Sequence, residues 1–549
     1  MSEKLDVEEG HSADTFEKPN YRGSGSHFDN EKLEEGASYL SHANEVASIQ
    51  QGVKRGLSAR HIQMISLGAA IGTGLFLNSG QNIAEAGPAG ALIAYCVVGF
   101  MVYCVATCLG EMATFLPVSG SFNHYATRFF DPALGFALGW NYWFSAVTLA
   151  TELSAAATII DWWQPVMPDA AWSTIFLLVV ISINLVGVRL YGELEYWFAL
   201  IKILITIVFI IIGICVASGG LGDQVIGFKY WHDPGAFVNG GLGTISVLLS
   251  AGFSFQGTEI VGITAGEAKN PTKSVPRAIR NTFYRIIFFY IITIFLLGMC
   301  IPSNDPDLLN EDGSAATASF TIVFKLAGIE AGAHVINAVV LTSVLSAANS
   351  DLYTCSRTLL GLAKDGNAPQ FMQRTNRYGS PYLAVLFSSV IGFACVFVSI
   401  YSASVGFQWF LSITAVTGFI SWWGIVLVHL RFRRAYKHQG RDTKDLPYHS
   451  LWFPFDALFA FILCTVIILG QGYGAFTPKF EGVTFVMNYI GVVPAPVCYI
   501  LYKIFRRTRV VPLDECDFDT GRVSQEEIEE EDLEEKGLPW YRKVLHIIA

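Results

Sequence analysis

Twelve stretches of about 20 apolar residues, nearly free of charge, constrain this chain more than any other feature. Each is long enough to cross a hydrocarbon core of roughly 30 Å as a helix. They fall at about 62–82, 88–116, 133–161, 171–190, 194–218, 241–265, 283–302, 332–361, 381–402, 407–431, 453–474 and 483–505. Of the 549 residues 52% are apolar and only 15% charged, where a soluble chain carries about 25% charge. The chain is therefore expected to be an all-α integral membrane protein with twelve transmembrane helices.

Charge sets the orientation, because Lys and Arg near span ends stay cytoplasmic. Lys54, Arg55 and Arg60 precede the first span and Arg128 follows the second. Lys269, Lys273, Arg277 and Arg280 follow the sixth, and Lys364, Arg374 and Arg377 the eighth. Arg431, Arg433, Arg434, Lys437, Arg441 and Lys444 follow the tenth, and Arg506, Arg507 and Arg509 the twelfth. Alternate loops are poor in base and often acidic, as at Asp305, Asp307, Glu311 and Asp312. Both termini are thus expected in the cytoplasm.

The formal net charge of −10 comes mostly from the tails. Residues 1–55 read as a polar, disordered cytoplasmic tail, 56–507 as the membrane domain, and 508–549 as an acidic cytoplasmic tail that includes Glu526, Glu527 and Glu529. With no apolar core region at the N-terminus, the first span is expected to serve as the insertion signal. The ten cysteines form no CxxC pair, so neither a zinc site nor a redox motif is indicated and the thiols read as small hydrophobes. No metal, cofactor or nucleic-acid partner is expected. No HExxH, GxSxG or phosphate loop stands in the right context for an enzyme.

The first and sixth spans share an oddity. One reads Ser66-Leu-Gly68-Ala-Ala-Ile71-Gly72-Thr73-Gly74-Leu-Phe, the other Ser250-Ala-Gly252-Phe253-Ser254-Phe255-Gln256-Gly257-Thr258-Glu259. Both place small, helix-weak residues in mid-membrane. Glycine-interrupted spans in corresponding positions of two halves point to an inverted repeat with broken helices. Five spans separate the two, which fits a five-plus-five repeat (about 61–218 and 241–431) with two extra spans at about 453–505. The competing reading is close helix packing through Gly68-xxx-Gly72.

Further motifs are specific. Ala-Ile-Gly72-Thr73-Gly74-Leu-Phe, Gly110-Glu111-Met-Ala-Thr, Phe253-Ser-Phe-Gln-Gly257-Thr258-Glu259, Gly266-Glu267-Ala-Lys-Asn-Pro271 and Ser274-Val-Pro276-Arg277 closely resemble the yeast-type amino-acid permeases of the amino acid–polyamine–organocation superfamily. The resemblance runs from about Gly56 to Arg507. Leu138-Gly-Trp140-Asn-Tyr-Trp143 and Gly192-Glu-Leu-Glu195-Tyr-Trp197-Phe-Ala-Leu-Ile-Lys202 resemble the basic (lysine and arginine) branch. It implies a leucine-transporter-like fold with discontinuous helices 1 and 6, and uptake of basic amino acids with protons across the plasma membrane. Departures at Gly68-Ala-Ala and Ser145-Ala-Val leave lysine, arginine and broad selectivity open. A permease of neutral or broad selectivity and a non-transporting sensor are the alternatives. Known sensors of the family carry N-terminal tails much longer than one ending near Gly56.

A zwitterionic substrate must exchange its hydration shells for protein groups. At a broken helix, N–H groups of Gly72, Thr73 and Gly74 are expected to take the α-carboxylate. Carbonyls at Gly68–Ile71 and Phe253–Gln256 would take the α-ammonium. Glycine, as at Gly257, permits the dihedrals this needs. Glu152 and Glu259 stand out as carboxylates at membrane depth, a costly placement that marks function by default. Glu152 is expected to shape a side-chain pocket with Ser145 and Thr414, and Glu259 to lie nearer the hinge. Each has the alternative of a buried carboxylate satisfied by hydroxyls or a lysine.

Lys202 lies about eight residues inside its span, too deep for simple snorkelling. By resemblance it occupies the place where sodium-coupled relatives hold their cation, so its deprotonation would couple to the proton, with Glu259 and Glu152 as further proton-coupling residues; a structural ion pair is the alternative for Lys202. Phe253, with Phe255 nearby, is implied as an aromatic gate, against a plain core aromatic. Glu111 reads as a structural partner of a loop arginine, and the basic cluster after span ten as a contact for lipid headgroups. Lys4, Lys18 and Lys32 are candidate ubiquitin acceptors for a ligase or adaptor at the tails.

Overall fold

The computed structural model describes residues 71–522 except for 119–120, 165, 187, 223, 264, 266–270, 309–317, 378, 401–402, 451 and 477–478. Gly68, the N-tail lysines and the acidic run after Arg522 lie outside the described residues.

In lipid each backbone polar group must be satisfied within its own segment, and among the described residues the chain forms helices and no strand. In order these are α1 (Thr73–Phe76), α2 (Asn78–Phe115), α3 (Ser121–Phe129), α4 (Pro132–Phe144), α5 (Val147–Ile160), α6 (Asp169–Val186), α7 (Val188–Ala217), α8 (Gly240–Ser254) and α9 (Ile260–Ile263). There follow α10 (Pro271–Arg285), α11 (Ile292–Cys300), α12 (Ser319–Leu326), α13 (Glu330–Lys364), α14 (Tyr382–Ser399), α15 (Ala403–His438), α16 (Phe455–Gly470), α17 (Gly482–Tyr489) and α18 (Pro494–Arg506). A π-helical turn, Ile286–Ile291, joins α10 to α11.

Among the described residues seven helices are long and apolar enough to cross a membrane, eight if the pair bent by 47° at Val492–Pro494 is one span. Three shorter apolar helices, Gly240–Ser254, Phe288–Cys300 and Tyr382–Val398, fall on the sixth, seventh and ninth apolar segments. The first two segments turn out to share one helical run, α2, bent at Gly87 where φ is +77°. The third segment stays one span but tightens into i→i+3 bonding at Ser145–Ala146, between α4 and α5, a local change the apolar pattern does not announce.

The outer helices face apolar side chains outward, as with Leu178 and Val179 on α6, Leu204 and Ile211 on α7, Phe393 and Phe397 on α14 and Ile462 on α16. Polar residues are kept inside: Thr73, Asn82, Glu152, Glu195, Lys202 and Thr414 are all buried. At the centre α8 runs along α2, while α5 packs on α13 and α15. The breaks at α1 and between α8 and α9 therefore meet in the middle of the bundle.

At the arginine-rich end a buried ion cluster ties α2 to α15. Glu111 accepts hydrogen bonds from Arg433 Nη2 at 2.8 Å and the Ser450 N–H at 3.0 Å, and forms ion-pair contacts with Arg433 Nε at 2.5 Å and His429 Nε2 at 3.2 Å. The partner is thus on a helix and not in a loop. Arg431 donates to the Phe129 carbonyl at 2.8 Å, and Arg441 grips Asp519 through two bonds of 2.9 and 2.6 Å. These guanidinium groups serve protein acceptors, correcting the expectation of lipid contact, because the planar fork fits carbonyl and carboxylate pairs.

Two acceptors, the Val511 carbonyl for Arg431 and Asp519 for Arg441, belong to residues 508–522, which were expected to begin a solvated tail. This strap instead packs on the bundle. Phe518 is fully buried among Phe129, Phe432 and Tyr436, with ring centroids 5.1 to 5.5 Å apart. Arg128 pairs with Asp517 at 2.9 Å, and the Val511 N–H reaches the Phe130 carbonyl at 2.8 Å. Burial alone would raise the Asp517 carboxyl. The hydroxyl and N–H of Thr520, the N–H of Asp519 and the Arg128 charge outweigh it and hold the group at about 2.

Candidate functional site

Helix α1 has only one turn, preceded by Gly72 in an extended conformation. Its first bonds run from the Leu75 and Phe76 N–H groups back to the Gly72 carbonyl, so the N–H groups of Gly72, Thr73 and Gly74 have no partner within the helix. Glu152 of α5 comes up against this end. Its carboxylate accepts from the Thr73 hydroxyl. A protein carboxylate therefore stands where the substrate's α-carboxylate was expected.

The second break lies at 255–259, between α8 and α9. Gly257 has φ +92°, a left-handed conformation costly for any residue with a Cβ. Glu259 closes this turn. It accepts from the Gly257 N–H (3.3 Å), the Tyr142 hydroxyl (3.3 Å) and Trp422 Nε1 (3.2 Å). These are neutral donors, which matches the expected hinge position more than a partner for a charge.

The two breaks touch at Gly74, where a Cβ would sit 2.5 Å from Ser254 Cα. Tyr95 spans the crossing, its hydroxyl 2.8 Å from Ser254 Oγ and 3.4 Å from the Gly74 carbonyl, with Asn82 donating to it at 3.1 Å. No sequence signal singles out Tyr95, since its role exists only once the helices cross.

Between the breaks is a cavity of about 50 Å³, room for a few waters, since one needs roughly 10–15 Å³ on this measure. Gly72, Thr73, Gly74, Ser145, Glu152, Phe253, Gly257 and Glu259 all line it. Four expected residues do not. Phe255 is buried between Tyr95 and Tyr290, with ring centroids 5.7 and 4.6 Å away. Thr414 lies one layer back, its hydroxyl 3.1 Å from that of Thr151 and its carbonyl accepting from Gln256 Nε2 at 2.9 Å. Ile71 is buried, its carbonyl accepting from Ser343 Oγ at 3.3 Å. Lys202 is fully buried behind the wall.

Lys202 Nζ is 4.0 Å from Glu195 Oε1, which also receives the Ser346 hydroxyl at 2.8 Å. The partner was legible: residues 195 and 202 are seven apart and share one face of α7. Asp351 of α13 lines the cavity, and its Oδ2 is enclosed without a hydrogen-bond partner. It too was visible as a carboxylate within an apolar segment. Lys202 feels Glu195, Glu152 and Asp351 electrostatically. The cluster thus holds three carboxylates and one lysine, and an added cation would offset their mutual repulsion.

Comparison with known proteins bears on what the arrangement serves. The amino acid permease family matches residues 61–514. A lysine-specific permease of Lactococcus lactis is 46% identical over 477 residues, covering 85% of this chain and 92% of its own length. A lysine-specific permease of Saccharomyces cerevisiae is 41% identical over 498 residues, covering 88% and 81%. Among solved structures, a manganese transporter of Eremococcus coleocola superposes with TM-score 0.53 at 11% identity, over 82% of this chain and 94% of that one; the likeness concerns the fold alone. With the extended Gly72 start of α1 meeting the break after α8 around a carboxylate-rich cavity and a family match across nearly the whole membrane domain, this chain belongs to the amino acid permease family and is a multi-pass membrane transporter of amino acids, not an enzyme.

Proposed function

We propose that the chain takes up basic amino acids, lysine and arginine with histidine as a further candidate, by proton symport and alternating access at the plasma membrane, its arginine-rich end in the cytoplasm. The observation that carries this reading is the charge imbalance at the cavity: Glu152 and Asp351 line it, and Glu195 lies behind it with Lys202. A basic substrate brings the missing positive charge. The lysine-specific names of the two relatives support the same class.

In this reading the substrate's α-carboxylate displaces Glu152 from Thr73, and the freed Glu152 turns with Asp351 toward the side-chain cation. Gly74 keeps the two breaks in contact, and Phe253 closes over the ligand. A cavity of about 50 Å³ must widen to admit the substrate, so binding and opening are coupled. Lys202, with Glu195, is the proton-coupling pair. Each inward positive charge also gains about 2.3 kcal/mol per 100 mV of membrane potential.

Uptake of labelled lysine, arginine, histidine and leucine into permease-deficient cells, with and without a protonophore, tests this. The expected result is protonophore-sensitive uptake of the basic three and little leucine. Glu152→Gln should weaken lysine and arginine uptake more than any residual neutral uptake, and Lys202→Met should remove the pH dependence. Leucine carried as well as lysine would overturn the substrate class, and full, pH-dependent activity in Lys202→Met would overturn the coupling role.

A further inference from the structure

A second cavity lies at the other end of α15 from Arg431 and Arg433. It measures about 250 Å³, five times the central one. It is bounded by the first turns of α2, by α8, by the start of α15, by residues 471–474 after α16 and by the end of α17. The described residues that line it include one carboxylate, Glu85, and no lysine, arginine or histidine.

The remaining polar lining consists of neutral amides and hydroxyls. Gln408 Nε2 donates to Gln81 Oε1 at 2.9 Å, and the Ser246 hydroxyl is spent on the Gly243 carbonyl at 2.8 Å. Gln471 uses its Nε2 on the Ile468 carbonyl at 3.1 Å, leaving its Oε1 enclosed with no partner. One carboxylate and an amide oxygen unspent among the described residues, with no lysine, arginine or histidine in the described lining, form an acceptor-rich pocket. A ligand with an ammonium or guanidinium group complements it.

The cavity adjoins the central site. Ser250 lines the outer cavity and Phe253 the inner one, less than one turn apart on α8. Gln256 Nε2 of the break after α8 donates to the Thr414 and Ala415 carbonyls at 2.9 and 3.3 Å, tying that break to α15. A ligand passing from one cavity to the other must part this bond.

We propose that the outer cavity is a second substrate site, where the side-chain cation of a basic amino acid engages Glu85 and Gln471 before moving to the central cavity. This rests on the basic-substrate reading above, and the experiment separates the two. Equilibrium binding of labelled lysine to the purified full chain in nanodiscs should give two lysines per chain, and one for Glu85→Gln. In cells Glu85→Gln should raise the KM for lysine about tenfold, the loss of one charge-assisted hydrogen bond, with Vmax near that of the parent and Glu85→Asp largely restoring the KM. No lysine bound to the parent would sink the substrate class itself. A single lysine per parent chain, or an unchanged KM in Glu85→Gln, would overturn the outer site alone. Where Glu85→Gln fails to fold, the stoichiometry of the parent still decides.

Discussion

Replacing Gly74 by alanine tests whether the contact between the broken helices is what holds the central site together. The added Cβ would lie 2.5 Å from Ser254 Cα, 2.7 Å from its Oγ and 2.9 Å from its Cβ. Carbon atoms in contact prefer about 3.5–4.0 Å, so α1 and α8 must separate by about 1–1.5 Å. Overpacking of this kind costs about 1–3 kcal/mol, or roughly 5- to 150-fold in the population of the close-packed arrangement. The movement acts where Tyr95 bridges Gly74 to Ser254 and one residue from the Thr73–Glu152 bond. Initial uptake rates, normalised to the amount of protein in the membrane, should fall within that range. Gly72→Ala is the internal comparison: its Cβ would meet the Ala347 methyl at 3.2 Å and Glu152 Oε1 at 3.6 Å, so a smaller loss is expected. Ser254→Gly should rescue Gly74→Ala only in part, because the shortest contact is to backbone. Parental transport and thermal stability in Gly74→Ala, or complete rescue by Ser254→Gly, would refute the reasoning.

Other outcomes follow from the arginine-rich end. Arg433→Met leaves Glu111 buried without its guanidinium and should cost about 3–5 kcal/mol, read as a lower unfolding temperature; the double variant with Glu111→Met should recover most of it, and equal loss in both would contradict the pairing. Phe518→Ala removes the strap's buried ring, at a cost of up to about 3–5 kcal/mol, and should make the buried Cys516 thiol open to maleimide, followed by mass spectrometry. Because Asp517 is held at about 2, below the ordinary carboxylate range, its hold on the strap is present above about pH 4 and lost as pH falls toward 2. A spin label at exposed position 515 should stay immobile at neutral pH and loosen only in that acid window; loosening at pH 6 would exclude Asp517 as the cause.

The limits of the sequence are clearest at particular residues. Glu152, Gly72 and Gly74 were legible because charge or glycine at membrane depth is costly unless it serves something, Thr73 because it stands between those glycines, and Phe253 only through the family resemblance. Asp351 and Glu195 carried the same signal and belong with them. Phe255 and Thr414 were read as lining and are not. A motif names neighbours along the chain, whereas the side toward which each side chain is turned depends on how the unwound turn is set. Tyr95, Trp422 and Gln256 are ordinary polar aromatics and amides until the helices that flank them are brought into contact.

From the sequence alone one reads that the chain is helical, that it crosses a membrane many times and that a helix is interrupted at 255–259. These follow from hydrophobic length, period and glycine placement, which act within one segment. Only the tertiary structure decided that Glu152 occupies the helix end prepared for a carboxylate, that Lys202 answers to Glu195, and that residues 508–522 are a docked strap. Those are meetings between segments far apart in the chain. Their energies depend on distance and on the loss of water, which exist only after the bundle has closed.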